Sequence, residues 1–295
     1  MKPPKFDYFD PTTVEEALDL LKEYGEDAKI LAGGQSLVPL LNFRLARPQV
    51  LVDINRIKDL DYVRENNGTL AIGAMTRQRT LETSEIIRSK CGLLTDAAEL
   101  IGHPQIRNRG TVGGSLVHAD PTAELCAIAK ALDARMKIRS SEGERTVGAE
   151  DFFITVMTTA LEPSEMLVEI EFPSLAPSAG WAFEEFVLRH GDFAVVGVTA
   201  VVTLDAEQTC TELRLAAIGV DETPFRDPEL EELLQGQKIT DSLLDELAAL
   251  VSAKVDPFTD LHATAEQRKH LAGVLAKKTI KKAEAAALLN LKKES

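Results

Sequence analysis

Two glycine pairs carry the first chemical signal in the sequence. One lies in Leu31-Ala32-Gly33-Gly34-Gln35-Ser36-Leu37-Val38, the other in Thr111-Val112-Gly113-Gly114-Ser115, with His118-Ala119-Asp120-Pro121 close behind. Glycine lets a backbone approach a ligand closely and take up positive φ, so that successive N–H groups converge on one anion. Ser36, Thr111 and Ser115 add neutral donors, and a helix starting after each loop would add its positive end. Asp120-Pro121 predicts such a start, an N-cap followed by proline at the first helical position. Either pair alone is better explained as a tight turn. Together they predict a diphosphate cradle.

Other chemistries are excluded or demoted by spacing. No GxxxxGK[ST] occurs, so there is no P-loop, and the first loop lacks the third glycine of GxGxxG. Asp53 follows Gly33 at the distance of a Rossmann ribose acid, but after Val-Leu-Val it reads as a turn residue. Cys91, Cys126 and Cys210 are too scattered for a disulfide framework or a CxxC site and read as small buried hydrophobes. His103 and His118 lack partners at metal-ligand spacing, so no metal site is expected, and hydrogen bonding is the better role for them. Ser36 sits in no GxSxG elbow. Arg107 and Arg109 flank the second loop and could face a diphosphate or a partner protein.

The chain that must position these loops has 295 residues, 44% hydrophobic and 27% charged. That length suggests about two domains at roughly 150 residues each. With 33 basic against 47 acidic residues the net charge is −14, which argues against a nucleic-acid binder. It leaves room for an anionic cofactor held by backbone N–H groups. The longest apolar runs, such as Val195 to Leu204, are too short to span a bilayer, and the N-terminus lacks the apolar stretch of a signal peptide. A cytoplasmic protein without a membrane span is expected.

The predicted elements begin with an edge strand at Phe6 to Phe9 and a helix to Tyr24, capped by Thr13 with Glu16 closing a capping box. A strand at Ala28 to Ala32 feeds the first glycine pair. A short helix follows over Ser36 to Phe43, then a strand at Val50 to Ile54. Tyr62 to Arg64 and Thr69 to Gly73 flank an Asn66-Asn67-Gly68 hairpin turn. Residues 76–102 and 121–133 read as helices, and Met166 to Phe172 as a closing strand. Pro173 to Gly180 is the linker candidate. Beyond it come strands at Trp181 to Leu188, Val195 to Leu204 and Thr211 to Val220. Helices follow near Pro228 to Leu234, Ser242 to Val251 and Thr264 to Leu289. Strands followed by helices suggest a small α+β domain with an antiparallel sheet. Lys277, Lys278, Lys281 and Lys282 read as a solvated helix face.

With Arg44-Leu-Ala-Arg47-Pro48, Asp120-Pro121 and Arg189-His-Gly-Asp-Phe-Ala194, the two loops resemble the FAD-binding medium subunit of molybdenum hydroxylases, the carbon monoxide dehydrogenase and xanthine dehydrogenase family. The resemblance covers nearly the whole chain. It implies an α+β fold with a two-lobed FAD domain of the p-cresol methylhydroxylase (PCMH) type over residues 1–175, its lobes dividing near residues 56 and 57. A small α+β C-terminal domain of the carbon monoxide dehydrogenase flavoprotein type would occupy residues 180–290.

The resemblance also assigns roles. FAD would lie extended between the lobes. Leu31, Ala32, Gly33, Gly34, Gln35, Ser36, Leu37 and Val38 would form one cradle for its diphosphate. Thr111, Val112, Gly113, Gly114 and Ser115 would form the other. Glu124 would accept hydrogen bonds from ribityl hydroxyls, Ile101 and Leu167 would line the flavin, and Phe193 would shield one face of the isoalloxazine. Each has a plainer reading: a first-turn acid at Glu124, core residues at Ile101, Leu167 and Phe193. The chain has Gln35 where relatives often carry His or Asn. It has Ser115 where xanthine dehydrogenases have Asn, and no lysine near Glu184 to meet the flavin. These departures bring it nearer the bacterial carbon monoxide dehydrogenase-like subunits. The implied partners are a molybdopterin-binding large subunit and a [2Fe–2S] small subunit in a dimer of heterotrimers, with this chain as the electron-transfer flavoprotein. A self-contained PCMH-type FAD oxidase or dehydrogenase is the alternative, and a non-catalytic nucleotide-binding assembly module a third.

Overall fold

Three short strands build the first lobe of the computed structural model, which describes residues 2–294. In chain order the lobe runs β1 (Asp7–Phe9), α1 (Val14–Tyr24), β2 (Ala28–Leu31), α2 (Leu37–Asn42) and β3 (Val50–Asp53). The strands pair in parallel in the order β1-β3-β2, leaving β1 at the edge. The capping box forms as its spacing predicts: Glu16 N–H donates to Thr13 Oγ1 at 3.2 Å, and Thr13 N–H donates to Glu16 Oε2 at 3.3 Å. Val14, Ala17, Leu18 and Leu21, spaced on one face of α1, are buried in a cluster with Val50 and Val52 of the sheet.

The second lobe opens with the hairpin β4 (Val63–Asn66) and β5 (Thr69–Gly73), whose turn residues Asn67 and Gly68 take positive φ of 49° and 82°. The helix expected over 76–102 is divided into α3 (Gln78–Thr83) and α4 (Glu85–Leu100). Ser84 is extended between them, and Cys91 interrupts α4 with φ −152° and ψ 68°. Beside that kink Gly92 lies on the Trp181 ring, where a Cβ would come within 2.4 Å. Then come α5 (Pro104–Arg107), α6 (Val112–His118) and α7 (Glu124–Ala131). The hairpin β6 (Arg135–Ser140) and β7 (Gly143–Gly148) follows, then α8 (Ala149–Phe152), β8 (Phe153–Thr155), β9 (Thr158–Thr159) and β10 (Met166–Pro173). The five-stranded sheet has the order β4-β5-β10-β6-β7, so the expected closing strand is the sheet's centre. It reads Val168, Ile170 and Phe172 on a run that is buried on almost every residue.

The last part is a meander of β11 (Ala179–Phe186), β12 (Val196–Leu204) and β13 (Cys210–Ile218), followed by α9 (Pro228–Glu232), α10 (Asp241–Lys254) and α11 (Ala265–Glu294). Helix α11 lies so close to β11 that a Cβ on Gly180 would fall 2.1 Å from the Ala283 carbonyl oxygen. The linker candidate is shorter than expected: Pro173 ends β10 and Ala179 and Gly180 begin β11. The four late lysines lie on a largely solvated helix face, as expected, and each is also ion-paired. Lys278 and Lys282 both pair with Glu184 of β11, while Lys277 and Lys281 pair with Asp245 and Asp241 of α10.

Candidate cofactor cleft

Strand β2 delivers the chain to Gly33, where the two glycine loops meet. A Cβ on Gly33 would stand 2.4 Å from the Arg109 carbonyl oxygen and 2.8 Å from Gly110 Cα, so only hydrogen fits. Gly34 turns with φ +73°. From Gly33 to Leu37, no backbone N–H has a hydrogen-bond acceptor among the described residues. The first to find one is Val38, which donates to the Gly34 carbonyl at 3.1 Å. Five neighbouring unpaired donors around a positive-φ turn have the form of an anion nest. Gln35 stiffens it by donating from Nε2 to the Gly33 carbonyl at 3.1 Å.

Two residues that the sequence did not single out latch this arrangement. Asn55 donates through Nδ2 to the Ala32 carbonyl at 2.7 Å and accepts at Oδ1 from Arg77 Nη2 at 2.8 Å. Arg77 also donates through Nη1 to the Arg109 carbonyl at 2.8 Å, so one guanidinium ties both loops. Desolvation, followed by the charge of Arg109, lowers the Arg77 pKa. Asp53 is the turn acid its position suggested, accepting from Asn55 N–H at 2.9 Å. Its other oxygen accepts from Tyr8 at 2.6 Å, and that hydrogen bond leads the effects pushing the phenol up to about 12. A cleft of about 360 Å³ results, lined by Gly33, Gly34, Gln35, Val38, Asn55 and Arg109 among others.

The second loop works differently from the expectation. Thr111 caps α6, its Oγ1 accepting from Gly114 N–H at 3.1 Å. Val112 N–H donates to Thr76 and Gly113 N–H to Ala74, each at 2.9 Å. These three donors are spent inside the protein, so this loop is not a second nest of free N–H groups. Gly113 is required by packing instead: a Cβ there would meet that of Ala74 at 2.6 Å. Val112 is fully buried, whereas Gly114 and Ser115 are partly exposed. The helix start predicted at Asp120-Pro121 is also absent. Helix α6 ends there through left-handed Ala119, and Asp120 Oδ1 accepts from Thr122 N–H at 2.9 Å in an Asx turn, delaying α7 to Glu124.

The structure separates the two arginines. Arg107 is buried, pairing through Nε with Glu82 at 2.9 Å and donating to the Ile101 carbonyl at 2.9 Å. Arg109 is exposed at the cleft with no ion pair among the described residues. Ile101 and Leu167 are buried in the main core cluster. Glu124 is buried at the start of α7, and desolvation, aided by the charges of Glu185 and Asp120, pushes it up to about 8. Glu185, on β11, is pushed up to about 7 by burial and keeps one carboxylate oxygen buried without a partner. Phe193 is 64% exposed, which overturns its reading as a core residue.

A parallel βαβ lobe and a larger α+β lobe meeting at a glycine-walled cleft, followed by an antiparallel meander under a long helix, define a two-lobed cofactor-binding protein. Comparison with known proteins identifies which. The FAD-binding domain of molybdopterin dehydrogenases matches residues 4–175, and the C-terminal domain of carbon monoxide dehydrogenase flavoproteins matches residues 181–283. The chain belongs to this family of FAD-binding medium subunits. It is 43% identical over 283 residues to the alpha subunit of the 6-hydroxypseudooxynicotine dehydrogenase complex of Paenarthrobacter nicotinovorans, covering 96% of each. It is 39% identical to the carbon monoxide dehydrogenase medium chain of Hydrogenophaga pseudoflava, covering 95% of this chain and 97% of that one. A solved structure of carbon monoxide dehydrogenase from the same organism superposes with a TM-score of 0.95 at 38% identity, covering 97% and 99% of the two chains. No helix among the described residues is long and apolar enough to cross a membrane.

Proposed function

We propose that this chain is the cytoplasmic FAD-binding, electron-transferring subunit of a molybdenum hydroxylase complex. Its partners would be a molybdopterin-binding large subunit and a [2Fe–2S] small subunit, assembled as a dimer of heterotrimers. The observation that carries the cofactor reading is the run of N–H groups from Gly33 to Leu37 that have no acceptor among the described residues, three of whose residues, Gly33, Gly34 and Gln35, line a cleft together with Arg109, which has no ion pair among those residues. These residues fit a diphosphate, because donors and positive charge stand free where the backbone can be approached closely. The chemistry that FAD supplies when bound is electron exchange singly or in pairs, which couples one-electron iron–sulfur donors to a two-electron acceptor.

The protein's own contribution is binding and orientation. Gly33 to Val38 would hold the diphosphate, with Gly114 and Ser115 presenting the second loop's exposed surface. The Asn55–Arg77 latch fixes the distance between the loops. Glu124 would receive ribityl hydroxyls, Ile101 and Leu167 would back the flavin, and Phe193 would cover one of its faces. Cys91, Cys126 and Cys210 are all buried and separate, unsuited to a four-thiolate cluster, so an iron–sulfur donor to the flavin would have to belong to another chain.

The test is anaerobic bleaching of the flavin absorbance. Substrates of the relatives' kinds, N-heteroaromatics and carbon monoxide, are added to the FAD-loaded chain alone and to the chain reconstituted with its partner subunits. Bleaching only in the reconstituted complex is expected. Rapid bleaching of the isolated chain would instead establish a self-contained flavoenzyme.

A further inference from the structure

The turn between β11 and β12 is not a free loop. Asp192 N–H donates to the Arg189 carbonyl at 3.0 Å, and Val195 N–H closes the hairpin onto the Phe186 carbonyl at 2.8 Å. Within the turn Gly191 takes φ +87° and lies against the imidazole of His103: a Cβ would fall 2.3 Å from Cε1 and 2.7 Å from Nδ1. The His190 ring stands beside it, centroids 6.0 Å apart. Two residues on, Phe193 remains exposed.

His103 sits on a rigid support. It is the N-cap residue of α5, and the segment from Ile101 to Gly110 is held from inside by Arg107, which binds the Ile101 and Gly102 carbonyls and pairs with Glu82. The same segment ends in Arg109 and Gly110, the backbone on which Gly33 rests. One wall therefore borders the cleft at one end and carries the Gly191 contact at the other. The ring nitrogens of His103 make no hydrogen bond among the described residues, so the imidazole acts by its shape.

We infer that His103 is a positioning residue: its ring seats Gly191, fixes the Arg189–Phe193 turn on the cleft wall and thereby sets where Phe193 stands over a bound flavin. The last clause rests on the FAD reading above; the seat itself does not. A loop held by one close contact opens more often when that contact is removed, and opening is read by proteolysis.

Two measurements on the full chain test it. In the FAD-free protein, tryptic cleavage after Arg189, followed by mass spectrometry, should run several-fold faster in His103→Ala and in Gly191→Ala, and return to the wild-type rate in His103→Phe, which keeps a flat ring. In the FAD-loaded protein, iodide quenching of flavin fluorescence should rise several-fold in His103→Ala, to the level of Phe193→Ala, with unchanged FAD per chain and no further rise in the double variant. Unchanged cleavage in His103→Ala, or His103→Phe cleaved as fast as His103→Ala, overturns the seat. Faster cleavage with unaltered quenching overturns its bearing on the flavin. A wild-type chain that binds no FAD removes the functional reading, while the cleavage experiment still decides the seat.

Discussion

Gly33 rests directly on the carbonyl of Arg109, with 2.4 Å left for any Cβ. Two loops far apart in sequence thus meet backbone to backbone at Arg109 and Gly110, an approach that the absence of one methyl group permits and the Asn55–Arg77 latch holds. Gly33→Ala must push the loops apart, and Gly34→Val strains a turn at φ +73° with Val38 Cγ2 already 3.1 Å from a Cβ. Both variants should retain the fold and lose at least about tenfold in FAD affinity, roughly 1.4 kcal/mol. Gly113→Val is different: its clash is with Ala74 inside the lobe, so its melting temperature should fall along with its flavin content. Flavin absorbance per protein and thermal melting, measured together, distinguish the two behaviours.

Arg107 and Arg109, two positions apart, should respond to truncation in opposite ways. Removing Arg107 takes the buried partner from Glu82, which keeps Arg79, and leaves the Ile101 carbonyl without its donor. Losing the hydrogen bonds that a charged group makes in a buried site costs about 1.5–3 kcal/mol. Arg107→Ala is therefore expected to destabilise strongly in urea unfolding. Arg109→Ala should leave the unfolding midpoint nearly unchanged and weaken FAD binding, with an effect that shrinks as salt is raised.

Much of this was legible in the sequence for a local reason. Thr13 with Glu16, Asn67-Gly68, and the β2-to-Gly33 passage are all set by residues within a few positions of each other. The first nest was legible too, because positive φ and free donors are properties of the loop itself. The second loop lacks the expected free donors because two of them are consumed by the Thr76 and Ala74 carbonyls, a tertiary pairing that Val112-Gly113 does not advertise. Asp120-Pro121 carries a sound helix-start signal, overruled by the end of α6 just before it. Asn55 and Arg77 act only through contacts across the fold and have no spacing to betray them. The β6 strand is the opposite case: Met136 and Ile138 alternate with Arg135, Lys137 and Arg139, a period-two strand pattern that the local sequence carries by itself.

Phe193 offers a separation between stability and flavin environment. At 64% exposure it contributes little buried apolar area, so Phe193→Ala should leave the melting temperature of the FAD-free chain almost unmoved. Flavin fluorescence and the rate of reoxidation by oxygen should both change if its ring covers the cofactor. A lowered melting temperature with unaltered flavin spectra would count against that cover.

Glu124 makes a prediction about pH. Its carboxyl is pushed from 4.5 up to about 8 by burial at the start of α7, with Glu185 and Asp120 as neighbouring negative charges. Raising a carboxyl pKa on folding means that the folded chain binds the proton more tightly than the unfolded one. Stability from this group is therefore complete below about pH 4.5 and is lost as pH rises towards 8. Glu185, raised to about 7 by burial, acts with the same sign. The FAD-free chain should lose melting temperature steadily across that interval, and Glu124→Gln, which cannot ionise, should flatten part of the slope. A ribityl hydroxyl donating to Glu124 would favour the ionised form, so loading FAD should release a proton near neutrality and binding should tighten with rising pH. Isothermal titration in buffers of different ionisation enthalpy measures that proton, and Glu124→Gln should abolish its release. Proton release equal in wild type and Glu124→Gln would remove Glu124 from contact with the cofactor while leaving its effect on the FAD-free chain intact.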